Sequence, residues 1–457
     1  MASETLQVLW ICGPPGIGKS TVAWATYRHV HEAGVAVAYV DIDQIGICYP
    51  EPPSDPTRDR MKARNLAAVA ETFRLHGARV LIVSGVVEEE WASTYSEEAR
   101  TASIRWCRLH LERAAHEERL VARGLSDAAL AGYFEYAEAQ ERSTFAHARV
   151  DTTGHSVDEV VRLTIAAMPL EPIQGRVSDP SRAAGATQLP EPEPVLLICG
   201  PTGVGKSTVA WHAFQRTTGA DVRTGFVDVR QLGFFEPPHE EQTDRHAVQA
   251  CNAGALWATF RSCSAHALVA NGSIPTSEDL TKYTVALPLT HTVSLHASDA
   301  QLAHHIRRRA AGEGPRLAGD SLVGLTGVEL GHAIDSAAAE AHGLDANRIA
   351  DSLIDTTGLT ASEAAEMDLA CAPGWSDLIR SSAAPGPNVS RLTIGESPLG
   401  GHMDEVVRVG CHRAPADGGR LDHPQPWQDP GHRRQRACDD VRVAQPRGAR
   451  EVIRDHL

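Results

Sequence analysis

The stretch LQVLWICGPPGIGKSTVAWAT occupies residues 6–26, and EPVLLICGPTGVGKSTVAWHA repeats it at residues 193–213. Each copy contains the pattern G-x-x-x-x-G-K-[ST], preceded by an apolar run typical of a buried strand and followed by a pattern typical of a helix. In that context the glycine-rich turn predicts a phosphate-binding loop, because its backbone N–H groups and the positive end of the helix face the same anion. The two copies therefore predict two nucleotide-binding domains.

Both copies assign the same roles to their side chains. We expect the lysines to reach the outer phosphates of ATP and the serines to ligate Mg²⁺. Lysine is scarce in this chain, since only four of the 43 basic residues are lysine and two of those four stand in the loops. The predicted nucleotide-binding residues are Gly13, Gly16, Gly18, Lys19, Ser20 and Thr21 in the first copy, and Gly200, Gly203, Gly205, Lys206, Ser207 and Thr208 in the second.

The repeat extends well beyond the loops. With a constant shift of 187 residues, AYVDIDQIG (38–46) aligns with GFVDVRQLG (225–233), and after a slip of 17 residues VDTTG (150–154) aligns with IDTTG (354–358). Alternating strands and helices predict an α/β fold in which a parallel sheet is flanked by helices. We predict two tandem P-loop NTPase domains, a linker and a largely disordered C-terminal tail, with bounds 1–170, 171–194, 195–372 and 373–457.

Composition and charge narrow the class of partner. The formal net charge is -15, which argues against binding to a nucleic-acid backbone and favours a small-molecule partner. The nine cysteines include no C-x-x-C pair, so neither a zinc ribbon nor a disulfide framework is expected. Neither a signal peptide nor a membrane span is recognisable, and we expect a cytoplasmic protein. The oligomeric state stays open.

Acidic residues separate the classes of P-loop protein. The third strands, RVLIVSG (79–85) and HALVANG (266–272), lack the terminal acid expected of motor and remodelling ATPases. The carboxylates Asp41 and Asp43 instead follow the second strand. This arrangement resembles the small-molecule kinases of the shikimate, gluconate and chloramphenicol phosphotransferase type, within the nucleotide-kinase-like P-loop group. It also resembles tandem ATP-binding proteins of high-GC bacteria.

The resemblance implies roles for these carboxylates. It places Asp41, and its counterpart Asp228, in the Mg²⁺ shell together with the loop serines. It makes Asp43 the group that binds and activates an acceptor hydroxyl. Gly85 becomes a close-approach glycine at the acceptor pocket. An ordinary turn or helix cap is the alternative explanation of the two aspartates.

The resemblance also implies arginine-bearing lids. Residues 294–320 resemble a kinase lid in which Arg307, Arg308, Arg309 and Arg316 are candidates to clamp the transferred phosphoryl group, and we select Arg309 and Arg316 as catalytic. The shorter first lid offers Arg113, Arg119 and Arg123. A solvated, salt-bridged helix face explains the same arginines equally well.

The DTTG turns follow the last strand of each half. The resemblance places their threonines beside adenine, namely Thr152, Thr153, Thr356 and Thr357. Ser156 with Glu159, and Thr360 with Glu363, fit capping boxes, and helix capping alone accounts for much of the pattern.

Two functions from different classes fit these residues. The first is a Mg²⁺-dependent, ATP-dependent phosphotransferase acting on a small hydroxyl-bearing or nucleotide-like acceptor, which the basic stretch RDRMKAR (58–64) marks as anionic. The second is a regulatory or scaffold protein that binds ATP and hydrolyses it slowly. The two halves differ at one decisive position, because Asp43 aligns with Arg230, and a guanidinium cannot accept a proton. The second half either binds an anionic acceptor through Arg230 or only holds nucleotide and regulates, and we expect transfer to depend on Asp43 in the first half.

Overall fold

The computed structural model describes residues 5–122, 124–125, 127–171, 194–237, 244–314 and 317–382. The interior of the predicted linker and the predicted tail from residue 383 onwards lie outside the described residues. No described helix combines the length and the apolar character that a bilayer crossing requires.

The first repeat forms an α/β unit around a parallel sheet. Its elements in chain order are β1 (Leu6–Cys12), α1 (Lys19–Glu32), β2 (Val37–Asp41), β3 (Cys48–Tyr49), α2 (Asp59–Leu75), β4 (Val80–Ser84), α3 (Glu89–Glu98), β5 (Ala102–His110), α4 (Arg113–Val121), α5 (Asp127–Arg142), β6 (Ala148–Asp151) and α6 (Val157–Ala167). The parallel strands stand in the order β6-β5-β1-β4-β2. Strand β1 is therefore central, and its phosphate loop opens at the carboxyl edge of the sheet.

The second repeat has the same plan. Its elements are β7 (Val195–Cys199), α7 (Lys206–Gly219), β8 (Thr224–Asp228), a 3₁₀ turn (Val229–Leu232), β9 (Phe234–Glu236), α8 (Arg245–Ser262), β10 (Ala267–Gly272), α9 (Ser277–Ala286), β11 (His291–His296), α10 (Asp299–Ala310), α11 (Gly327–Asn347), β12 (Ser352–Asp355), α12 (Ala361–Cys371) and α13 (Trp375–Ser382). The parallel strands stand in the order β12-β11-β7-β10-β8. The predicted architecture of two helix-flanked α/β sheets is confirmed.

Each sheet gains its sixth strand from the other repeat. Strand β9 runs antiparallel to β2, with Phe235 opposite Ala38, and β3 runs antiparallel to β8, with Cys48 opposite Gly225. Under the 187-residue shift residues 47–49 correspond to residues 234–236, so the exchange is reciprocal. The two repeats are interlocked rather than joined only by their linker.

Aromatic side chains fill both sides of this exchange. Phe234 of β9 packs on Trp24 and Tyr39 of the first repeat, with ring centroids 4.8 and 5.9 Å apart. Tyr49 of β3 packs on Phe214 of the second repeat at 6.2 Å. Burying a large apolar side chain stabilises a fold by about 1.5–3 kcal/mol, so these contacts bind the repeats together energetically as well as topologically.

A shared core lies between the repeats. Helices α2 and α8 pack against each other, and the cluster around them combines Phe73 from the first repeat with Trp257 and Phe260 from the second. All three side chains are fully buried. One apolar core therefore crosses the boundary between the repeats.

The packed part of the second repeat continues past residue 372, the end predicted from sequence. Trp375 opens α13 and is fully buried in the core of the second sheet, where Leu378 and Ile379 also pack.

Candidate functional site

The two phosphate loops have the backbone geometry that their sequences predict. All six motif glycines have positive φ, namely Gly13, Gly16, Gly18, Gly200, Gly203 and Gly205. At Gly16 a Cβ atom would stand 2.6 Å from Leu120 of α4, and at Gly203 it would stand 2.8 Å from Ile306 of α10. Glycine is required there both for its φ value and because a lid helix packs directly on the loop.

Each loop lysine folds back over its own loop. Lys19 Nζ donates to the carbonyl oxygen of Pro14 at 3.0 Å, and Lys206 Nζ donates to that of Pro201 at 3.1 Å. Burial lowers the pKa of Lys206, and the Glu340 carboxylate is the largest influence that opposes this shift. An anion in the loop would favour the charged form of the lysine and oppose this shift.

Asp41 is the last residue of β2 and lies beside the first phosphate loop. Its carboxylate accepts hydrogen bonds from Ser20 Oγ at 3.0 Å, from Ser84 Oγ at 2.7 Å and from the backbone N–H of Asp43 at 3.0 Å. Burial, followed by the neighbouring Asp43 carboxylate, raises the pKa of Asp41. A divalent cation at Ser20 and Asp41 would offset that penalty.

The second loop has an equivalent arrangement. Ser207 Oγ donates to Asp228 Oδ2 at 3.1 Å and lies 2.9 Å from Asn271 Oδ1, so Asn271 takes the position of Ser84. Burial raises the pKa of Asp228.

The donor set in both loops fits Mg²⁺. No group of three or more His, Cys, Asp or Glu side chains within the described residues is arranged around a metal position. Mg²⁺ usually binds through one or two protein oxygens together with water and substrate phosphates, which is what a serine and an aspartate in each loop offer. Of the other motif residues, Thr21 is exposed and Thr208 half-buried on the first turn of its helix.

Asp43 forms an ion pair that sequence reasoning did not identify. Lys62 Nζ of α2 lies 2.6 Å from Asp43 Oδ1, and their side chains are only 3% and 16% exposed. The lysine stem lies against Gly46, where a Cβ atom would stand 2.5 Å from Lys62 Cε. The sequence feature that could have indicated a special role for Lys62 is that it is one of only four lysines in an arginine-rich chain.

The second repeat replaces both members of that pair. Arg230 stands at the position of Asp43, and Gln249 at that of Lys62, where it packs on Gly233 as Lys62 packs on Gly46. The Arg230 guanidinium instead bonds to the carbonyl oxygen of Gly319 in the lid loop. The side chains at these two positions are therefore chemically different in the two repeats, as the sequence alignment predicts for Asp43 and Arg230.

Gly85 makes the close approach expected of it, but to a neighbouring side chain. Its φ is +143°, and a Cβ atom would stand 2.0 Å from Cγ2 of Ile42, the residue between Asp41 and Asp43. Gly85 thus allows the turn that carries both carboxylates to pack against β4. Its predicted role in an acceptor pocket stays a prediction.

The first lid contacts its phosphate loop through two side chains of α4. Arg119 Nη1 donates to the carbonyl oxygen of Ile17 at 3.0 Å, and His116 Nε2, from a buried ring, lies 2.6 Å from that of Pro15. Arg113 is exposed and pairs with Glu138 at 3.2 Å. Arg123 lies outside the described residues. Among the three predicted arginines, the structure brings Arg119 to the loop.

The arginines of the second lid are engaged within the lid itself. Arg309 pairs with Asp320 and donates to the carbonyl oxygen of Glu313 at 2.8 Å, and Arg308 bonds to the Glu313 carboxylate at 2.7 Å. Arg307 is exposed, and Arg316 lies outside the described residues. The contact with the phosphate loop comes instead from His305, whose Nδ1 lies 2.9 Å from the carbonyl oxygen of Gly203.

The DTTG turns have the predicted capping boxes. Ser156 with Glu159 caps α6, and Thr360 with Glu363 caps α12, both with reciprocal hydrogen bonds. The hydroxyl groups of the preceding threonines are used internally, since Thr152 donates to the carbonyl of His110 at 2.8 Å. Their predicted contact with adenine stays a prediction.

A carboxylate from α11 reaches the second loop and was missed by sequence reasoning. The backbone N–H of Thr202 donates to Glu340 Oε2 at 2.8 Å, and the Ser273 hydroxyl donates to Oε1. These residues are separated by 138 and 67 positions, so no local pattern connects them.

The sequence of the first repeat matches a kinase family. Residues 5–135 match the family model described as adenylylsulphate kinase. The resemblance to P-loop small-molecule kinases is confirmed. The matched range contains the first phosphate loop, Asp41, Asp43 and Lys62. Among curated proteins, none matches this chain.

Several solved structures are similar to part of the chain. The tunicamycin resistance protein of Deinococcus radiodurans is 20% identical, with 39% of this chain and 94% of that chain covered and a TM-score of 0.28. A gluconokinase from Sinorhizobium meliloti 1021 is 19% identical, with 36% and 93% covered and a TM-score of 0.25. The Mycobacterium tuberculosis APS kinase in complex with AMPPNP and APS is 18% identical, with 36% and 98% covered and a TM-score of 0.26.

Proposed function

We propose that the chain is a Mg²⁺-dependent phosphotransferase that uses ATP to phosphorylate a small hydroxyl-bearing or nucleotide-like acceptor, with the chemistry in the first repeat. The observation that carries the proposal is the buried pair of Asp43 and Lys62 directly beside Asp41 and Ser20. A carboxylate held at the carboxyl edge of the sheet, two residues from the expected metal ligand, is suited to bind an acceptor hydroxyl.

Each residue of the first site has a distinct task in this proposal. Bound ATP supplies the phosphoryl group, and Mg²⁺ offsets the charge that develops on it. The loop amides and Lys19 hold the phosphates, while Ser20 and Asp41 hold the cation. Asp43 orients the acceptor hydroxyl and takes its proton, and Lys62 fixes the Asp43 carboxylate in place. Arg119, already at the loop, adds positive charge on the lid side.

The basic stretch 58–64 offers an anionic acceptor fewer exposed cations than its sequence indicates. Arg58 is buried and pairs with Glu51 at 2.9 Å, and Lys62 is paired with Asp43, so neither is displayed to solvent. Arg60 is exposed, with its guanidinium carbon 5.9 Å from the centre of the Trp91 ring. Arg60 therefore offers an anionic acceptor a solvent-exposed cation of this stretch. Adenylylsulphate, named by the matching family, is the first acceptor to test.

The test follows the fate of the γ-phosphoryl group. The purified chain is incubated with Mg²⁺ and ATP labelled at the γ-position, first with adenylylsulphate and then with a panel of sugars, sugar acids and nucleotides. Label in a new phosphorylated product supports the proposal. Release of labelled phosphate with every acceptor, at the rate seen without acceptor, contradicts it.

The second repeat suits a different role. Arg230 and Gln249 replace the acceptor-side pair, while Lys206, Ser207 and Asp228 keep the nucleotide-binding residues. This difference favours a nucleotide-binding regulatory function for the second repeat, alongside phosphoryl transfer in the first.

A further inference from the structure

The second phosphate loop holds a carboxylate of its own chain. Glu340 lies on α11, between the second lid and β12, and accepts the loop N–H of Thr202 at 2.8 Å. Its other oxygen accepts from the Ser273 hydroxyl, just after β10. A carboxylate with two such donors resembles a phosphate oxygen bound to a loop amide.

The position of Ser273 shows which side of the loop Glu340 occupies. Ser273 is two residues beyond Asn271, which contacts Ser207 at 2.9 Å. Ser207 is the expected Mg²⁺ ligand, and Mg²⁺ bridges the outer phosphates of a nucleotide. Glu340 therefore contacts the loop on the side of Ser207 and Asn271, where the outermost phosphate and its Mg²⁺ are expected.

The first repeat lacks both donors that hold this carboxylate. The 187-residue shift aligns Thr202 with Pro15, which has no N–H, and Ser273 with Val86, which has no hydroxyl group. The Pro15 carbonyl is instead the partner of His116. The Glu340 contact is thus a specific construction of the second repeat rather than a general feature of the fold.

We propose that the second phosphate loop is a site for a nucleoside diphosphate, with Glu340 in the place that a third phosphate group would take. The glycines, Lys206, Ser207 and Asp228 suit the two inner phosphates and their Mg²⁺. A third phosphate has to displace Glu340 or lie beside its negative charge, and a repulsion between close charges in a half-buried site weakens binding by about tenfold or more. The inference rests on the proposed nucleotide binding of the second repeat.

This selectivity would make the second repeat a sensor of the phosphotransferase's own product. Transfer of the γ-phosphoryl group from ATP to an acceptor leaves ADP, which is the ligand class that the second loop favours. Strand β3 follows the turn that carries Asp43 and pairs with Thr224 and Gly225, at the opposite end of β8 from Asp228.

The test measures binding to the second loop alone. In the full chain carrying Lys19→Ala, isothermal titration with Mg²⁺ is expected to show ADP bound at least about tenfold more tightly than ATP. Adding Glu340→Gln keeps the shape and one acceptor oxygen for the Thr202 N–H, and its amide NH2 can donate to the Ser273 hydroxyl, but the negative charge is removed. This change is expected to reduce the preference to about threefold or less. Glu329→Gln, an exposed position on the same helix, is the matched control and should leave the preference unchanged.

The outcomes distinguish the role of Glu340 from the existence of a nucleotide site in the second repeat. ATP bound as tightly as ADP in Lys19→Ala, or an ADP preference that survives Glu340→Gln, overturns the role of Glu340 while the second nucleotide site stands. Failure of both nucleotides to bind in Lys19→Ala and in its Glu340→Gln derivative overturns the second site itself. Phosphoryl transfer by the first repeat is scored separately by the label-transfer assay.

Discussion

Lys62 Nζ lies 2.6 Å from Asp43 Oδ1 in the first repeat, and the corresponding residues of the second repeat are Gln249 and Arg230. The second repeat thus has a positive side chain in place of the aspartate and a neutral side chain in place of the lysine. The paired difference separates two sites whose phosphate loops are otherwise closely similar.

Removing Lys62 should destabilise the protein, because a largely buried carboxylate loses its partner. We expect Lys62→Gln to lower the free energy of unfolding by about 1–3 kcal/mol, measured by urea denaturation. The double variant Asp43→Arg with Lys62→Gln installs the pair of the second repeat and should recover part of that loss without recovering transfer activity. Equal stability of Lys62→Gln and the wild type would contradict a structural role for the pair.

The exchanged strands predict that the two repeats unfold together. Phe234 belongs to the second repeat but packs on Trp24 and Tyr39 of the first. We expect Phe234→Ala to lower the stability of the whole chain by about 2–4 kcal/mol in a single cooperative transition. Two separate transitions, of which only the second shifts, would show that the repeats are independent.

A buried carboxylate in α12 predicts a pH dependence of stability. Burial raises the pKa of Asp368 to about 7, and neither carboxylate oxygen has a hydrogen-bond partner within the described part of the chain. The folded state therefore holds this proton more tightly than the unfolded chain, and its stability falls as the pH rises from about 4 to about 7.

The variant Asp368→Asn removes that titration. It should unfold at a higher temperature than the wild type at pH 8, while the two differ little at pH 4. The exposed Asp335→Asn on α11 is the control and should change neither melting temperature. A gain in stability that is equal at both pH values would contradict the assignment.

Local sequence was sufficient for the parts of the fold that depend on neighbouring residues. The phosphate loops, the capping boxes at Ser156 and Thr360, and the α/β order follow from short motifs and periodicity. The strand exchange depends on segments of only two and three residues, which carry no periodic signal.

The contacts missed at the sites are tertiary. Lys62 is 19 residues from Asp43, and Glu340 is 138 residues from Thr202, so only the packing of α2 and α11 brings these side chains together. The predicted catalytic role of Arg309 is limited by the same kind of contact, because Asp320 and the Glu313 carbonyl both bind its guanidinium. Residue type alone could not reveal these contacts.

Phosphoryl transfer is expected to depend on the Asp43 carboxylate. Once an acceptor is found, initial rates of label transfer are compared for the wild type, Asp43→Asn and Arg230→Ala, with ATP affinity measured in parallel. We expect Asp43→Asn to reduce transfer by about a hundredfold or more with ATP affinity nearly unchanged, and Arg230→Ala to keep most of the activity. Full activity of Asp43→Asn together with an inactive Arg230→Ala would place phosphoryl transfer in the second repeat and rule out Asp43 as the group that activates the acceptor.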